Sequence, residues 1–198
     1  METDRRTRLA PDERRAQLVA LGVASLVDRR LESLTIEYLA AQAKVSRGLL
    51  FYYFGSKQGL HREVVRTARD SMLRATEPAP DLAPLDRLHD TLTRIVQFVR
   101  DHGDTFFSLE RGAASGDEEV REVVEQARAA QADRLIAVFL ELGMPDSELL
   151  RIALRSWVAF AEETLVETAI NGEMPAGEIV SFLERSAVAV AASVHPVA

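Results

Sequence analysis

Apolar positions recur along this chain at three- and four-residue spacings, and no stretch keeps the strict two-residue alternation of a half-buried strand. The pattern predicts an all-α protein of about nine helices. A first helix is expected from Pro11 to about Arg29, where Pro11 suits a first helical position and Asp12 and Glu13 suit the positive end of the helix dipole. Leu18, Val19, Val23, Leu26 and Val27 form its apolar stripe. Two short helices follow, one capped by Thr35 and running to about Ala43, the other capped by Ser46 and running to about Phe54. Lys44-Val45-Ser46 makes the tight turn between them. Gly55-Ser56 breaks the chain, and a fourth helix runs from Lys57 to about Thr76.

The stretch Glu77-Pro78-Ala79-Pro80-Asp81 is the clearest boundary. Beyond it, Leu85, Leu88, Leu92, Ile95, Val96 and Val99 mark a helix, and Phe106 and Phe107 a short one. Ser115-Gly116-Asp117-Glu118 reads as a capping box that opens a long helix ending near Gly143-Met144-Pro145. The last two helices are expected over 146–171 and 175–194. Both are apolar on more than one face, so they must be buried on most sides. Two such helices from each of two subunits would pair as a four-helix interface, which predicts a homodimer.

Charge divides the chain at the same place. Residues 1–74 carry 14 Lys and Arg against 9 Asp and Glu, a net of +5; residues 75–198 carry 10 against 22, a net of −12. A basic head on an acidic body points to a polyanion partner for the head. The absence of cysteine removes disulfides, thiolate metal sites and cysteine nucleophiles. No run of about 18 apolar residues suggests a membrane span, and no apolar stretch follows the basic N-terminal residues as in a secretory signal; the expected location is cytoplasmic. The four histidines, His61, His89, His102 and His195, lack zinc-site spacing, and no glycine-rich phosphate loop or nucleophile elbow is present. No catalytic residue, metal or cofactor is expected.

Residues 33–60 read SLTIEYLAAQAKVSRGLLFYYFGSKQGL. Two short helices around a three-residue turn leave one side of the second free, carrying Arg47, Leu49, Phe51, Tyr52 and Tyr53. A recognition helix needs this arrangement, with an apolar side for mounting and another side to enter the major groove. Gly48 lets backbone approach DNA closely, Ser46 leaves a helix N-terminus that favours phosphate, and Lys57 supplies a cation. Here the chain resembles the TetR (tetracycline-repressor) family, whose pattern is matched at Thr35, Leu39, Ala40, Ala43, Val45, Ser46, Gly48, Leu50, Tyr53, Phe54, Ser56, Lys57 and Leu60. It departs at Lys44, where the family has a turn glycine, at Leu49, and at Phe51, where a tyrosine is usual.

The resemblance implies a helix-turn-helix DNA-binding domain over 1–57, a connecting helix over 57–76, and a ligand-binding and dimerisation domain over 77–198. It implies that double-stranded DNA is met by Thr35, Lys44, Ser46, Arg47, Gly48, Leu49, Phe51, Tyr52, Tyr53 and Lys57. Arg47 is placed to read guanine, with Tyr52, Tyr53 and Lys57 positioning the backbone. Arg5, Arg6 and Arg8 form a basic arm that would reach a minor groove or stay in solvent. A small-molecule effector, apolar or aromatic by its lining, would be held by Phe98, Phe106, Phe107 and Trp157, with polar contacts from Arg94, His102 and Glu162. The expected function is a dimeric repressor on a palindromic operator, released by that effector. The alternative is a helical interaction protein that has lost DNA binding, a reading open because of Lys44, Leu49 and Phe51.

Overall fold

The computed structural model describes residues 10–103, 106 and 118–194. Every regular element among them is helical. The head consists of α1 (Pro11–Ser25), a 3₁₀ turn (Leu31–Ser33), α2 (Ile36–Ala43), α3 (Arg47–Phe54) and α4 (Lys57–Ala75). The body adds α5 (Pro84–Asp101), α6 (Glu118–Glu141), α7 (Glu148–Leu165), which runs on into a π-helical turn (Val166–Ile170), and α8 (Ala176–Val194). The expected arm at Arg5, Arg6 and Arg8, Phe107, and the capping-box residues Ser115, Gly116 and Asp117 lie outside the described residues.

Two cores hold these helices. In the head, Leu18, Val19 and Leu26 pack against Leu31, Leu34, Leu39, Leu50, Phe54, Leu60 and Val64. In the body, Leu92, Val96, Leu135, Phe139, Leu154, Trp157, Ile179 and Leu183 form the centre. α6 belongs to both. Its first turns place Val120, Val123 and Val124 in the head core, and its second half places Leu135, Ile136, Val138 and Phe139 in the body core. At 24 residues the helix is about 36 Å long, enough to join the two.

Helix ends differ from expectation where tertiary packing overrides pattern. α1 stops at Ser25, whose hydroxyl donates back to the Leu21 carbonyl at 2.8 Å. The chain then turns so that Leu31 and Leu34 enter the head core. Val27, expected on the apolar stripe, is therefore exposed. α7 starts after Ser147, whose Oγ accepts from the Leu150 N–H at 3.2 Å, and ends in a π-helical turn rather than continuing as an α-helix to 171.

Glycine is required where helices approach most closely. A Cβ on Gly22 of α1 would lie 2.5 Å from Val64 Cγ2 of α4, and one on Gly59 would lie 2.0 Å from the Phe54 carbonyl oxygen. These contacts fix how α4 crosses α1 and how tightly it follows α3. They leave α3 mounted on the head with its outer side open.

Candidate nucleic-acid interface

Both short helices are capped as their sequence dictates. Thr35 Oγ1 accepts from the Tyr38 N–H at 3.1 Å, and Ser46 Oγ from the Leu49 N–H at 3.2 Å, each satisfying a donor that the helix start leaves free. Between them, Lys44 adopts φ 53° and ψ 46°, the left-handed conformation that ends α2. Its N–H donates to the Ala41 carbonyl at 3.2 Å and that of Val45 to the Ala40 carbonyl at 3.0 Å, the paired bonds of a Schellman turn. Lys44 is the only non-glycine residue with positive φ among the described residues. The turn keeps its geometry without the family's glycine and puts a lysine there.

α3 divides by face. Leu50 and Phe54 are buried in the head core, and Tyr53 is half-buried against it. Arg47, Gly48, Phe51 and Tyr52 are exposed, Tyr52 by 78% and Phe51 by 49%. The Tyr52 and Tyr53 rings meet edge-on with centroids 5.2 Å apart, so the half-buried ring supports the open one. Leu49 is half-buried. The Arg47 guanidinium lies 3.6 Å from the Glu37 carboxylate of α2, and both side chains are largely exposed. A surface pair of this kind contributes little and is readily exchanged for another partner. The Lys57 ammonium donates to the Glu32 carbonyl at 2.6 Å, tying the start of α4 to the 3₁₀ turn.

The structure thus brings Thr35, Lys44, Ser46, Arg47, Gly48, Leu49, Phe51, Tyr52, Tyr53 and Lys57 onto the two short helices, their turn and the start of α4. It gives them unequal parts: Thr35 and Ser46 cap, Tyr53 packs, and Arg47, Phe51 and Tyr52 stand open. Glu37, as the neighbour of Arg47, was not singled out from sequence; its place ten residues before Arg47 has meaning only once the turn sets the two helices side by side.

The residues expected around an effector are separated. A cavity of about 300 Å³ lies between the last turns of α4 and helices α5, α6 and α7, and Phe106, Trp157 and Glu162 line it. Arg94, Phe98 and His102 lie elsewhere. Arg94 is exposed and donates through Nε to Asp90 Oδ2 at 2.8 Å. The Phe98 and His102 rings meet at a tilt of 52° with centroids 4.7 Å apart, and His102 borders a separate site at the end of α5. The wall residues Gln131, Arg134 and Val138 of α6 were not foreseen, because nothing in a continuous helical pattern marks which turns face a hollow.

A helix-turn-helix head with an open recognition helix, carried on a hollow helical body, defines a DNA-binding regulator class. Residues 18–64 match the family described as "Bacterial regulatory proteins, tetR family". Residues 84–190, more than half of the chain, match "Tetracyclin repressor-like, C-terminal domain". The chain belongs to the TetR family, whose members are non-enzymatic DNA-binding transcription factors. It is 29% identical over 102 residues to an uncharacterized HTH-type transcriptional regulator, YxbF, of Bacillus subtilis (strain 168). That match spans 50% of this chain and 27% of YxbF.

Among solved structures, it is similar to a tetR-family transcriptional regulator from Streptomyces coelicolor, with TM-score 0.80, 24% identity, and 94% of this chain and 85% of that one covered. It is also similar to a TetR-like transcriptional regulator from Rhodococcus sp. RHA1, with TM-score 0.65, 21% identity, and 96% and 100% covered. At these identities the likeness is one of fold. Among the described residues, no helix is long and apolar enough to cross a membrane, and no group of three or more His, Cys, Asp and Glu could hold a metal ion.

Proposed function

We propose that the protein is a transcriptional repressor that binds a palindromic operator as a homodimer and releases it when a small molecule enters the body cavity. The observation that carries the reading is the divided face of α3, with Leu50 and Phe54 fixed in the head core while Arg47, Phe51 and Tyr52 stand open to solvent. In the groove, Arg47 leaves Glu37 for a guanine edge, and Leu49 and Phe51 offer apolar contact to thymine methyls. Tyr52, the remaining N–H groups of Lys57, Lys44 and the N-terminus of α3 at Ser46 position the backbone. Thr35, Gly48 and Tyr53 serve by holding or clearing the surface that meets DNA.

The chain then divides by role into a reading head over 1–57, a connecting helix over 57–76, and an effector-binding and dimerising body over 77–198 into which the head core reaches through α6. Dimerisation is supported by an unpartnered apolar stripe. Leu149, Ile152 and Phe160 on α7 and Phe182 and Val188 on α8 are exposed, and the rings of Phe160 and Phe182 lie 6.0 Å apart. Two copies that bury this stripe across a two-fold axis carry two heads, which is what a palindrome requires.

The test is selection from fragmented genomic DNA, followed by fluorescence anisotropy on the captured sites at two salt concentrations. Arg47→Ala and Tyr52→Ala run beside the parent chain, since both residues are exposed and their loss spares the head core. The expected outcome is one enriched palindrome whose binding weakens with salt, as phosphate contacts demand, and is weakened by both changes. Enrichment of no site, from protein refolded free of bound small molecules, overturns the reading.

A further inference from the structure

The structure assigns a ligand class to the body cavity. We infer that it takes a compact, uncharged, largely apolar molecule carrying at most one hydrogen-bond donor, and that it rejects ions of either sign. This rests on the proposed effector role only for its biological consequence; the binding chemistry follows from the wall itself.

The cavity, about 300 Å³, is at the small end of the roughly 300–1,000 Å³ range of small-molecule sites, which suits a compact molecule of two or three rings. Its wall is mostly aliphatic and aromatic, with Leu88, Leu92, Ile95, Leu135, Val138 and Trp157 prominent. Among the described residues, four charged side chains also reach it, two cations and two anions.

All four are engaged. Arg87 and Glu141 pair with each other. Glu162 accepts from Arg128 Nε at 2.7 Å. Arg134 donates to the Leu73 carbonyl at 3.0 Å and to the Thr76 carbonyl at 3.3 Å. The neutral polar groups are spent as well. Thr91 Oγ1 donates to the Arg87 carbonyl at 2.8 Å, and the Trp157 indole N–H to Ser186 Oγ at 2.9 Å. Gln131 Nε2 donates one N–H to Thr76 Oγ1 at 3.1 Å, which leaves the Gln131 side-chain carbonyl as an acceptor and one amide N–H as a donor.

A cationic ligand would therefore shed its own hydration and find both carboxylates already paired, and an anion would have to draw Arg134 from the α4 carbonyls or Arg87 from Glu141. An uncharged apolar ligand meets neither cost and gains contact with the aliphatic wall. One hydroxyl or N–H on it can be met by Gln131.

Two fluorescent probes of one skeleton separate these cases. N-phenyl-1-naphthylamine is uncharged with a single N–H; 1-anilinonaphthalene-8-sulfonate is the same amine with an added anion. Each is titrated into the full chain, followed by probe emission and by quenching of Trp157, the only tryptophan in the chain. The uncharged probe is expected to bind at least about tenfold more tightly and to quench Trp157, because the sulfonate must displace a cation from partners it already holds.

Val138→Trp and Ala161→Trp, tested separately, fill the cavity and are each expected to weaken the uncharged probe by about tenfold or more. Circular dichroism melting confirms that each variant is folded, and the wild-type probe preference stands as a test without them. Equal or tighter binding of the sulfonate overturns the inference. So does unchanged binding of the uncharged probe to folded, cavity-filled variants. Neither result touches operator binding, and failure of the operator selection leaves the probe preference intact, so the two failures are distinguishable.

Discussion

Arg134 of α6 holds the C-terminal turn of α4 through Leu73, with Nη2 donating to the Leu73 carbonyl at 3.0 Å. The same guanidinium reaches the Thr76 carbonyl and hydroxyl, each at 3.3 Å, and its side chain forms part of the cavity wall. The last carbonyls of a helix lack intrahelical donors, so a cation there both satisfies them and meets the negative end of the dipole. A molecule entering the cavity meets the group that fastens the connecting helix.

Arg134→Met keeps the apolar stem and removes the donors. It is expected to lower unfolding stability by about 2 kcal/mol, the scale of hydrogen bonds from a charged group. The urea midpoint measures this. The variant is also expected to retain operator binding while losing most of the change in operator affinity that a bound cavity ligand produces, read by anisotropy with and without N-phenyl-1-naphthylamine. A full ligand response in Arg134→Met assigns transmission to another contact.

Lys44→Gly separates backbone strain from charge. The left-handed conformation costs a residue with a Cβ about 1 kcal/mol relative to glycine, partly offset by the greater freedom of glycine in the unfolded chain. The variant is expected to melt a few degrees higher. It also removes a cation from the turn beside α3, so the slope of log affinity against log salt should become shallower by about 0.9 if Lys44 meets one phosphate. A higher melting temperature with an unchanged slope would assign Lys44 a purely structural part.

Phe160→Arg places a charge in the exposed stripe of α7, where the ring is 44% exposed in the single chain and so leaves the body core in place. Sedimentation is expected to show a dimer for the parent chain and a monomer for the variant. Operator affinity should fall by about two orders of magnitude or more, since a monomer engages one half-site and loses the linkage between the two heads. A variant that stays dimeric would move the interface elsewhere.

Acid should loosen the linker at Asp90. The Arg94 guanidinium hydrogen-bonded to Asp90 holds its carboxyl below the ordinary carboxylate range; partial burial opposes this, and the Ala79 N–H, donating at 3.1 Å, adds to it. A group whose pKa is lower folded than unfolded stabilises fully above the unfolded value, and that contribution is lost as pH falls through the folded value. Urea midpoints of the parent chain and Asp90→Asn, measured from about pH 6 down to about pH 3, should converge at the acid end. A gap that does not narrow would show that the carboxylate charge is not what ties the linker.

The fold was legible where one residue settles one local geometry. Thr35, Ser46 and the glycine at 55 mark helix limits whatever surrounds them, and the structure places those limits as expected. The end of α1 and the π-helical turn after α7 were not legible, because each answers to distant partners: Leu31 and Leu34 turning into the head core in one case, the packing of the body against Ile170 in the other. The candidate residues on the two short helices could be named from sequence, but not their division into capping, packing and open residues, which follows from how α3 sits in the head core. Arg94 and His102 illustrate the limit. Arg94 is turned about 100° from Ile95 and so points away from the cavity that Thr91 and Ile95 line, while His102 falls near the face of Ile95 but about two turns further along, beyond the cavity.

The passage of α6 through both cores bears on how such proteins exchange parts. The proline-containing stretch after α4 looks like the natural place to cut a reading head from one regulator and join it to the body of another. A head severed there leaves Val120, Val123 and Val124 behind, and its hydrophobic centre opens where they had been. The heritable module is discontinuous: the first four helices together with the opening turns of a helix more than forty residues downstream of their end. A chimaera that keeps its new head folded must carry compatible valines in its borrowed body, so head and body are constrained to change together.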